Sequence, residues 1–395
     1  MSTPRPGRRT AAARPHRPAL TAVLAVLVTA LSLPALAVAP ARAATGPVMT
    51  YRGASVNMAN IPATTVPITT TTPVVFDRGT YFLDSVAVGS VGPVVLAGGS
   101  RSGTGTVDLT GRSGAVALVA KLYSGKYQVQ TVTKWLRVVP LDVWSVPTGY
   151  PDASSTGVPD GVRLTPSTDL DVWEAGAVLD GLDVQGCLTV HAPDVTVRNS
   201  RITCDSEVLR AVSLVGAPGF VMEDSEIDGG GKAEVAIGWS GYTLRRVDVH
   251  GTADGPRLGS AVTVEDSWVH DLVRRDGVHT DAVQSTSGTG IVLRHNTLDP
   301  RQAGSGDFLN AAVQLGSETG PQELRDVLVE DNFLNGGTFS VNVSCVATFS
   351  DVVFSRNRYG HGNRYGAVIA PRGTGFPTDT WADTGLPVPV QPACT

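Results

Sequence analysis

Lysine is scarce in this sequence, since only four occur in 395 residues, at positions 121, 126, 134 and 232. Basic residues as a whole number 31 against 36 acidic ones, and the first 43 residues hold six arginines and no acid. Beyond residue 43 the net charge is therefore −11. A chain this acidic is a poor candidate for binding nucleic acid or an anionic membrane surface.

Long apolar runs are equally scarce. One extends from Ala19 to Leu33, after an arginine-rich start and before the small-residue stretch Ala41-Arg42-Ala43. That order is typical of a secretion signal with cleavage after Ala43, and the run is short for the alternative, a membrane anchor. No run in residues 44–395 is long enough to span a bilayer. We therefore expect a secreted, extracellular protein with no transmembrane segment in the mature chain.

Cysteine is limited to four residues, Cys187, Cys204, Cys345 and Cys394. After export they should be oxidised, and three pairings are open to them. A zinc site is the alternative, but no two of these cysteines have the C-x-x-C spacing that such sites commonly use. The cysteine count therefore favours two disulfide bonds.

A repeat begins at residue 177. Its copies are AVLDGLDV (177–184), VTVRNSRI (195–202), FVMEDSEI (220–227), YTLRRVDV (242–249), VTVEDSWV (262–269), IVLRHNTL (291–298), VLVEDNFL (327–334) and VVFSRNRY (352–359). Positions one, three and eight are apolar in every copy, and position six is Ser or Asn in six copies of the eight. The alternation predicts a short strand with one buried face, which position six breaks. Further short apolar runs between the copies make three strands per repeat.

Three short strands per turn predict an all-β fold, a right-handed parallel β-helix whose coils stack about 4.8 Å apart. A β-sandwich with accidental periodicity is the alternative. On these strand-corner-strand repeats, residues 161–372 resemble the pectate-lyase-like β-helix superfamily. That superfamily includes lyases, hydrolases, epimerases and non-catalytic adhesins, so the resemblance implies the fold and leaves the activity open.

The stacking of coils has two consequences. It favours the pairs Cys187–Cys204, which would join neighbouring turns, and Cys345–Cys394, which would tie the tail to the last coils. It also places the alternating charges at position four one above another, as an outward ladder or, alternatively, a substrate-binding row; these are Arg198, Glu223, Arg245, Glu265, Arg294 and Glu330.

The remaining chain lacks the repeat. In residues 44–146, apolar and polar residues alternate in short runs, and Gly, Pro and Ser separate these runs. This pattern predicts a small sandwich-like β domain. Its Tyr123, Tyr127 and Trp135 are candidates for a sugar-stacking face, and core or scattered surface positions are the alternative. Residues 147–160 form a proline-rich linker and 373–395 a C-terminal tail. We expect a monomer.

The most charged loop of the repeat region is VRRDGVHTDAVQ (273–284). A pectate-type lyase needs a base and a group that neutralises developing charge. Arg274 or Arg275 is the candidate base, His279 a proton shuttle, and Asp276 with Asp281 candidate ligands for Ca²⁺. The alternative is a structural corner capped by Asp281. Gln284 and Gln314 lie on the same predicted face as candidate substrate-binding residues.

His279-Thr280-Asp281, followed by Ala282-Val283, also resembles the N-T-D-G-I signature of polygalacturonase-type hydrolases. The resemblance implies an acid–base role for Asp281. The chain departs from that family one coil later, where Asn310-Ala311-Ala312 stands in place of paired aspartates. Because a hydrolase needs both an acid and a base at one bond, a lyase is the better expectation.

A second cluster is predicted on another face. Position nine reads Asp228, His250, His270, Asp299 and Asn335, with Trp268 beside the histidines. Two stacked histidines with acids above and below suit a metal or a sugar, with Trp268 as a platform; a structural polar ladder is the alternative. The leading hypothesis is a secreted polysaccharide-active enzyme, a lyase or hydrolase on an acidic or cell-wall glycan. The alternative is a non-catalytic glycan-binding protein.

Overall fold

The computed structural model describes residues 47–51, 54–57, 59–97, 99–139, 145–275, 278–302, 307–317 and 322–394. Within these ranges every regular element is a strand. The same residues contain no helix that is long and apolar enough to cross a membrane. The predicted signal segment and Asp276 lie outside the described residues.

The first ten strands form two five-stranded sheets. They are β1 Val48–Tyr51, β2 Ala54–Ser55, β3 Asn60–Pro62, β4 Thr65–Thr72, β5 Arg78–Leu83, β6 Val86–Val91, β7 Val94–Ala97, β8 Ser100–Asp108, β9 Gly114–Ser124 and β10 Tyr127–Val139. The strand orders are β2-β1-β4-β8-β7 and β3-β10-β9-β5-β6, antiparallel except for β3 with β10. Their apolar faces share one core, across which the Tyr81 hydroxyl donates to the Ile68 carbonyl oxygen at 2.8 Å. This arrangement is the sandwich-like β domain expected from the alternating runs.

The remaining strands are short and pair only in parallel. They are β11 Thr165–Ser167, β12 Leu170–Val172, β13 Val178–Asp180, β14 Leu182–Val184, β15 Leu188–Val190, β16 Thr196–Arg198, β17 Arg201–Thr203, β18 Arg210–Leu214, β19 Phe220–Glu223, β20 Glu226–Asp228, β21 Val235–Gly238, β22 Tyr242–Arg245, β23 Asp248–His250, β24 Val262–Glu265, β25 Trp268–His270, β26 Asp281–Ser285, β27 Gly288–Arg294, β28 Thr297–Asp299, β29 Ala311–Leu315, β30 Glu323–Glu330, β31 Phe333–Leu334, β32 Phe339–Val343, β33 Thr348–Ser355, β34 Arg358–Tyr359, β35 Gly366–Ala370, β36 Thr380–Trp381 and β37 Val390–Pro392.

These strands build three faces around one apolar core. Face one has ten strands, from β11 to β36, and face two has eight, from β13 to β33. Face three has a four-stranded part, β12-β15-β18-β21, and a five-stranded part, β26-β29-β32-β35-β37. The predicted parallel β-helix is confirmed.

The corner between faces two and one explains the polar residue at position six. Position five adopts a left-handed backbone conformation, for example at Asp266 with φ 50° and His295 with φ 51°. The chain then turns inward, and the fully buried Asn332 accepts from the Asn296 backbone N–H at 2.9 Å. Each buried N–H at this corner needs such a partner because water cannot reach it. The polar stack is therefore part of the fold.

The charges at position four lie one above another on face two. Arg245 contacts Glu265 at 2.7 Å and Glu223 at 3.4 Å, and Arg294 contacts Glu330 at 3.2 Å. The two disulfides of the chain are Cys187–Cys204 and Cys345–Cys394. Both observations agree with the coil register that the repeat predicts.

Face three is interrupted between β21 and β26. The intervening coil, residues 251–261, contributes only isolated bridges, Val235 with Asp254 and Arg257 with Gln284. Pro256 has no N–H to donate to a strand ladder. Its neighbour Gly255 packs so closely on the next coil that a Cβ there would lie 2.0 Å from the Ala282 carbonyl oxygen. The backbone of this coil is therefore irregular where it crosses face three.

Candidate functional site

A shallow pocket of about 200 Å³ opens at the interruption of face three. Trp239, which directly follows β21, forms one wall and is 42% exposed. We call this pocket the notch; its lining includes Trp239, Ser240, Arg257, Ser260, Gln284 and Ser287.

Two arginines lie against the exposed ring of Trp239. The guanidinium carbon Cζ of Arg210 lies 4.9 Å from the ring centroid, and that of Arg257 lies 5.9 Å from it. An indole face attracts cations, so these contacts hold both guanidinium groups beside the notch. The notch thus combines an aromatic platform with positive charge.

Two buried carboxyl groups lie behind the notch. Asp254 is 1% exposed and Asp281 is 0% exposed. Asp254 contacts Arg257 through Oδ2 at 2.5 Å, and its Oδ1 accepts the backbone N–H of Asp281 at 2.9 Å. The irregular coil and the start of β26 therefore bring the two acids and one arginine together.

Burial raises the pKa of Asp281 well above its usual value, and the neighbouring Asp254 carboxylate raises it further. A hydrogen bond from Asn310 Nδ2 to Asp281 Oδ1, at 2.7 Å, acts in the opposite direction. Burial also raises the pKa of Asp254, but Arg257 lowers it by stabilising the ionised form. The environment therefore favours a protonated Asp281 beside an arginine-paired Asp254, which is the pattern of an acid next to a base.

Unpartnered polar atoms concentrate around the notch. In the described part of the chain, nine buried side-chain nitrogen or oxygen atoms have no hydrogen-bond partner. Five belong to this region: Arg210 Nε, Arg257 Nε, Thr280 Oγ1, Asp281 Oδ2 and Gln284 Oε1. Because native proteins pair nearly all buried polar atoms, such a concentration indicates a place where a ligand or water completes the bonding.

The amides predicted to bind substrate continue from the notch along face three. Gln284 pairs with Arg257 on one side and with Gln314 on the other. Gln314 donates to the Gly316 carbonyl oxygen at 2.9 Å. The structure thus places Asp281, Gln284 and Gln314 in one sheet, with Asp281 and Gln314 buried and Gln284 partly exposed.

The charged loop before β26 has a different arrangement. Arg274 binds both carboxylate oxygens of Asp307. Arg275 donates to the Glu207 carboxylate and to the Lys232 carbonyl oxygen. His279 is exposed. Within the described residues none of these three side chains contacts Asp281, so their catalytic roles stay predictions.

On face one, His270 lies between two carboxylates. Its Nε2 is 2.8 Å from Asp248 and its Nδ1 is 3.0 Å from Asp271. Trp268 stacks on the imidazole with ring centroids 3.4 Å apart. Burial alone would lower the pKa of His270, but the two acids raise it to about 9.

His250, one coil below, repeats the arrangement. Its Nε2 lies 3.1 Å from Glu226, and its Nδ1 lies 3.7 Å from Asp228. The hydrogen bond from His250 lowers the pKa of Glu226 to about 2 despite burial. Nowhere in the described ranges do three or more His, Cys, Asp or Glu side chains form a group suited to a metal ion. The two histidines and their acids form a column of charges on face one, and the substrate-binding roles of His250, His270 and Trp268 stay predictions.

Three residues at or beside the notch do not stand out in the sequence: Trp239, Arg257 and the buried Asp254. The coil that carries Asp254 and Arg257 does not match the repeat. One signal was available, because Asp254-Gly255 anticipates Asp281-Ala282 one coil later. Comparisons of the chain with protein-family models, with curated proteins and with solved structures find no match.

Proposed function

We propose that this chain is a secreted β-helix enzyme of the pectate-lyase-like kind that cleaves an acidic polysaccharide bound across the notch. The observation that carries the proposal is the buried Asp254–Asp281 pair beneath a cationic aromatic pocket. Trp239 offers a flat face to a sugar ring, and Arg257 offers a charge to its carboxylate. Perturbed carboxyl groups beside a pocket are typical of catalytic acids and bases.

A β-elimination suits these groups. Arg257 would neutralise the uronate carboxylate and so acidify the neighbouring C–H bond. Asp254, released from Arg257, would take that proton; a C=C bond forms as the C–O bond to the next sugar breaks, and Asp281 would protonate the departing oxygen. Arg274 and Arg275 are less suited to the role of base, because carboxylates hold both guanidinium groups.

Hydrolysis by the same two carboxyl groups is a related reaction. In it the base would activate a water molecule instead of removing a proton from carbon. Calcium fits the described residues poorly. Asp281 Oδ1 accepts from Asn310, and a carboxyl group with a raised pKa is a weak ligand for a hard cation. We therefore assign calcium no step, and addition of EDTA to the assay tests this choice.

Non-catalytic glycan binding is the second candidate function. The observation in its favour is that Asp281 is fully buried, so a sugar in the notch reaches Trp239 and Gln284 before it reaches an acid. In that case the carboxyl pair would only hold the irregular coil in place.

A panel of acidic and neutral polysaccharides tests both functions. Absorbance of unsaturated ends reports elimination, reducing ends report either cleavage, and retardation in polysaccharide-containing gels reports binding. Trp239→Ala should lose turnover and weaken retardation, while Trp173→Ala, which removes a 71% exposed tryptophan elsewhere, should change neither. Binding without turnover in the unaltered chain would establish the second function. Absence of both would contradict the two proposals together.

A further inference from the structure

The chain is electrically divided. Residues 44–139 contain eight Lys and Arg against three Asp, a net charge of +5. Residues 140–395 contain 17 basic residues against 33 acidic ones, a net charge of −16. Three of the four lysines lie in the first part. The sandwich is therefore a basic domain attached to an acidic β-helix.

The outer surface of the second sheet, β3-β10-β9-β5-β6, pairs aromatic rings with these cations. Lys121 Nζ lies 4.7 Å from the ring centroid of Phe82, and Arg78 Cζ lies 5.2 Å from that of Tyr123. Trp135 on β10 is 54% exposed on the same surface. We call these five residues the aromatic-cation face.

The register places these residues on one surface of the sheet. Arg78 and Tyr123 are direct partners across β5 and β9, and Lys121 stands one outward position from Tyr123. Trp135 belongs to β10, two strands from Phe82, a lateral separation of about 10 Å at ordinary strand spacing. Two ring–cation pairs on β5 and β9 and the ring of Trp135 on β10 therefore share this surface.

The charges of this surface are largely free. In the described residues neither Lys121 nor Arg137, an exposed neighbour of Trp135, contacts a carboxylate. Arg78 lies 3.5 Å from Asp77, with both side chains more than half exposed. Weakly paired surface cations keep their attraction for an anionic partner.

We propose that the aromatic-cation face is a second binding surface, for a linear acidic polysaccharide, which acts independently of the notch. Rings would stack on sugar faces, and the adjoining cations would bind the carboxylates. An acidic β-helix repels such a polymer, so a basic domain on the same chain would offset that repulsion. Charge complementarity favours an acidic partner. The flat ring beside each cation favours a polysaccharide over an acidic protein.

The test is affinity electrophoresis of the purified chain in gels that contain polygalacturonate, with dextran as the neutral probe. Trp135→Ala and the double change Arg78→Gln with Lys121→Gln should each weaken the apparent affinity for polygalacturonate by about fivefold, equivalent to about 1 kcal/mol. Raised salt should weaken the unaltered chain in the same way. Trp173→Ala and Arg325→Gln, exposed residues of the β-helix, are matched controls that should keep full retardation.

The outcomes are distinct. Retardation that is unchanged in both altered chains would overturn the proposal, and so would binding only to anionic lipid vesicles, only to DNA, or to a second copy of the chain in sedimentation. Trp239→Ala lies in the notch and, with turnover of the polymer blocked by Asp281→Asn, should leave in place the part of the retardation that Trp135→Ala removes. If the function proposed for the notch is refuted, the aromatic-cation face can still be tested. If the aromatic-cation face is refuted, the notch can still be tested.

Discussion

Replacement of Asp281 by asparagine is the sharpest test of the notch. The change keeps the size of the side chain, and the new amide oxygen can still accept from Asn310 Nδ2, now 2.7 Å from Asp281 Oδ1. The new amide nitrogen would take the place of Oδ2, which has no partner. Only the ability to carry and release a proton is lost.

A positioned general acid contributes about 10²–10⁴ in rate, or about 2.7–5.5 kcal/mol of transition-state stabilisation. We therefore expect Asp281→Asn to reduce turnover by that factor while polysaccharide retardation persists. The stability of the variant, relative to that of the unaltered chain, should rise with pH. The folded pKa of Asp281 is raised, so its contribution to stability is complete below the unfolded pKa of about 3.9 and is lost as pH rises through the folded pKa. The melting temperature of the variant relative to the unaltered chain should therefore increase from pH 4 to pH 8.

Asp299→Asn is the matched control. Asp299 is also buried, has a raised pKa and accepts from an asparagine, Asn335, at 3.2 Å, but it lies on face one. It should show the same trend of stability with pH and no loss of turnover. Full activity in Asp281→Asn would refute its role as an acid, and a lower melting temperature at pH 8 would show that its carboxylate holds the coil together.

Three further predictions concern the scaffold. Asn332→Ala removes a fully buried corner amide and should destabilise the fold by about 3 kcal/mol or more in urea unfolding, because each buried polar group left unpaired costs about 1–3 kcal/mol; a loss below 1 kcal/mol would contradict the stack. Glu265→Arg replaces the 2.7 Å contact with Arg245 by a like-charge pair and should cost about 1 kcal/mol or less at this partly exposed site. A loss of several kcal/mol would mean that position four is buried. The pKa of His270 is raised to about 9, so the stabilisation that His270 contributes should be complete below about pH 6.5 and lost as pH rises through 9. The expected change in the free energy of unfolding is on the order of 1–3 kcal/mol. His270→Gln should abolish this change in unfolding measured at pH 6, 8 and 10.

Much of the fold follows from local pattern. An apolar residue at positions one, three and eight defines the buried side of each short strand, and side chains alternate along a strand, so position four must point outward. Once the coils are stacked, Arg245 has to lie between Glu223 and Glu265, and Cys187 has to lie near Cys204. These relations were readable because each copy of the repeat marks the same point of its coil, although the copies start 18 to 36 residues apart.

The candidate site depended on contacts that no local pattern encodes. Arg274 is bound by Asp307, 33 residues away, and Arg275 by Glu207, 68 residues away, so both arginines of this loop are paired with acids from other parts of the chain. Asp254 and Arg257 lie on a coil without the repeat, and they became visible only when the bridge from Arg257 to Gln284 placed that coil against β26. Alternation decides which way a side chain points, whereas burial, pairing and pKa depend on neighbours brought close by the folding of the whole chain.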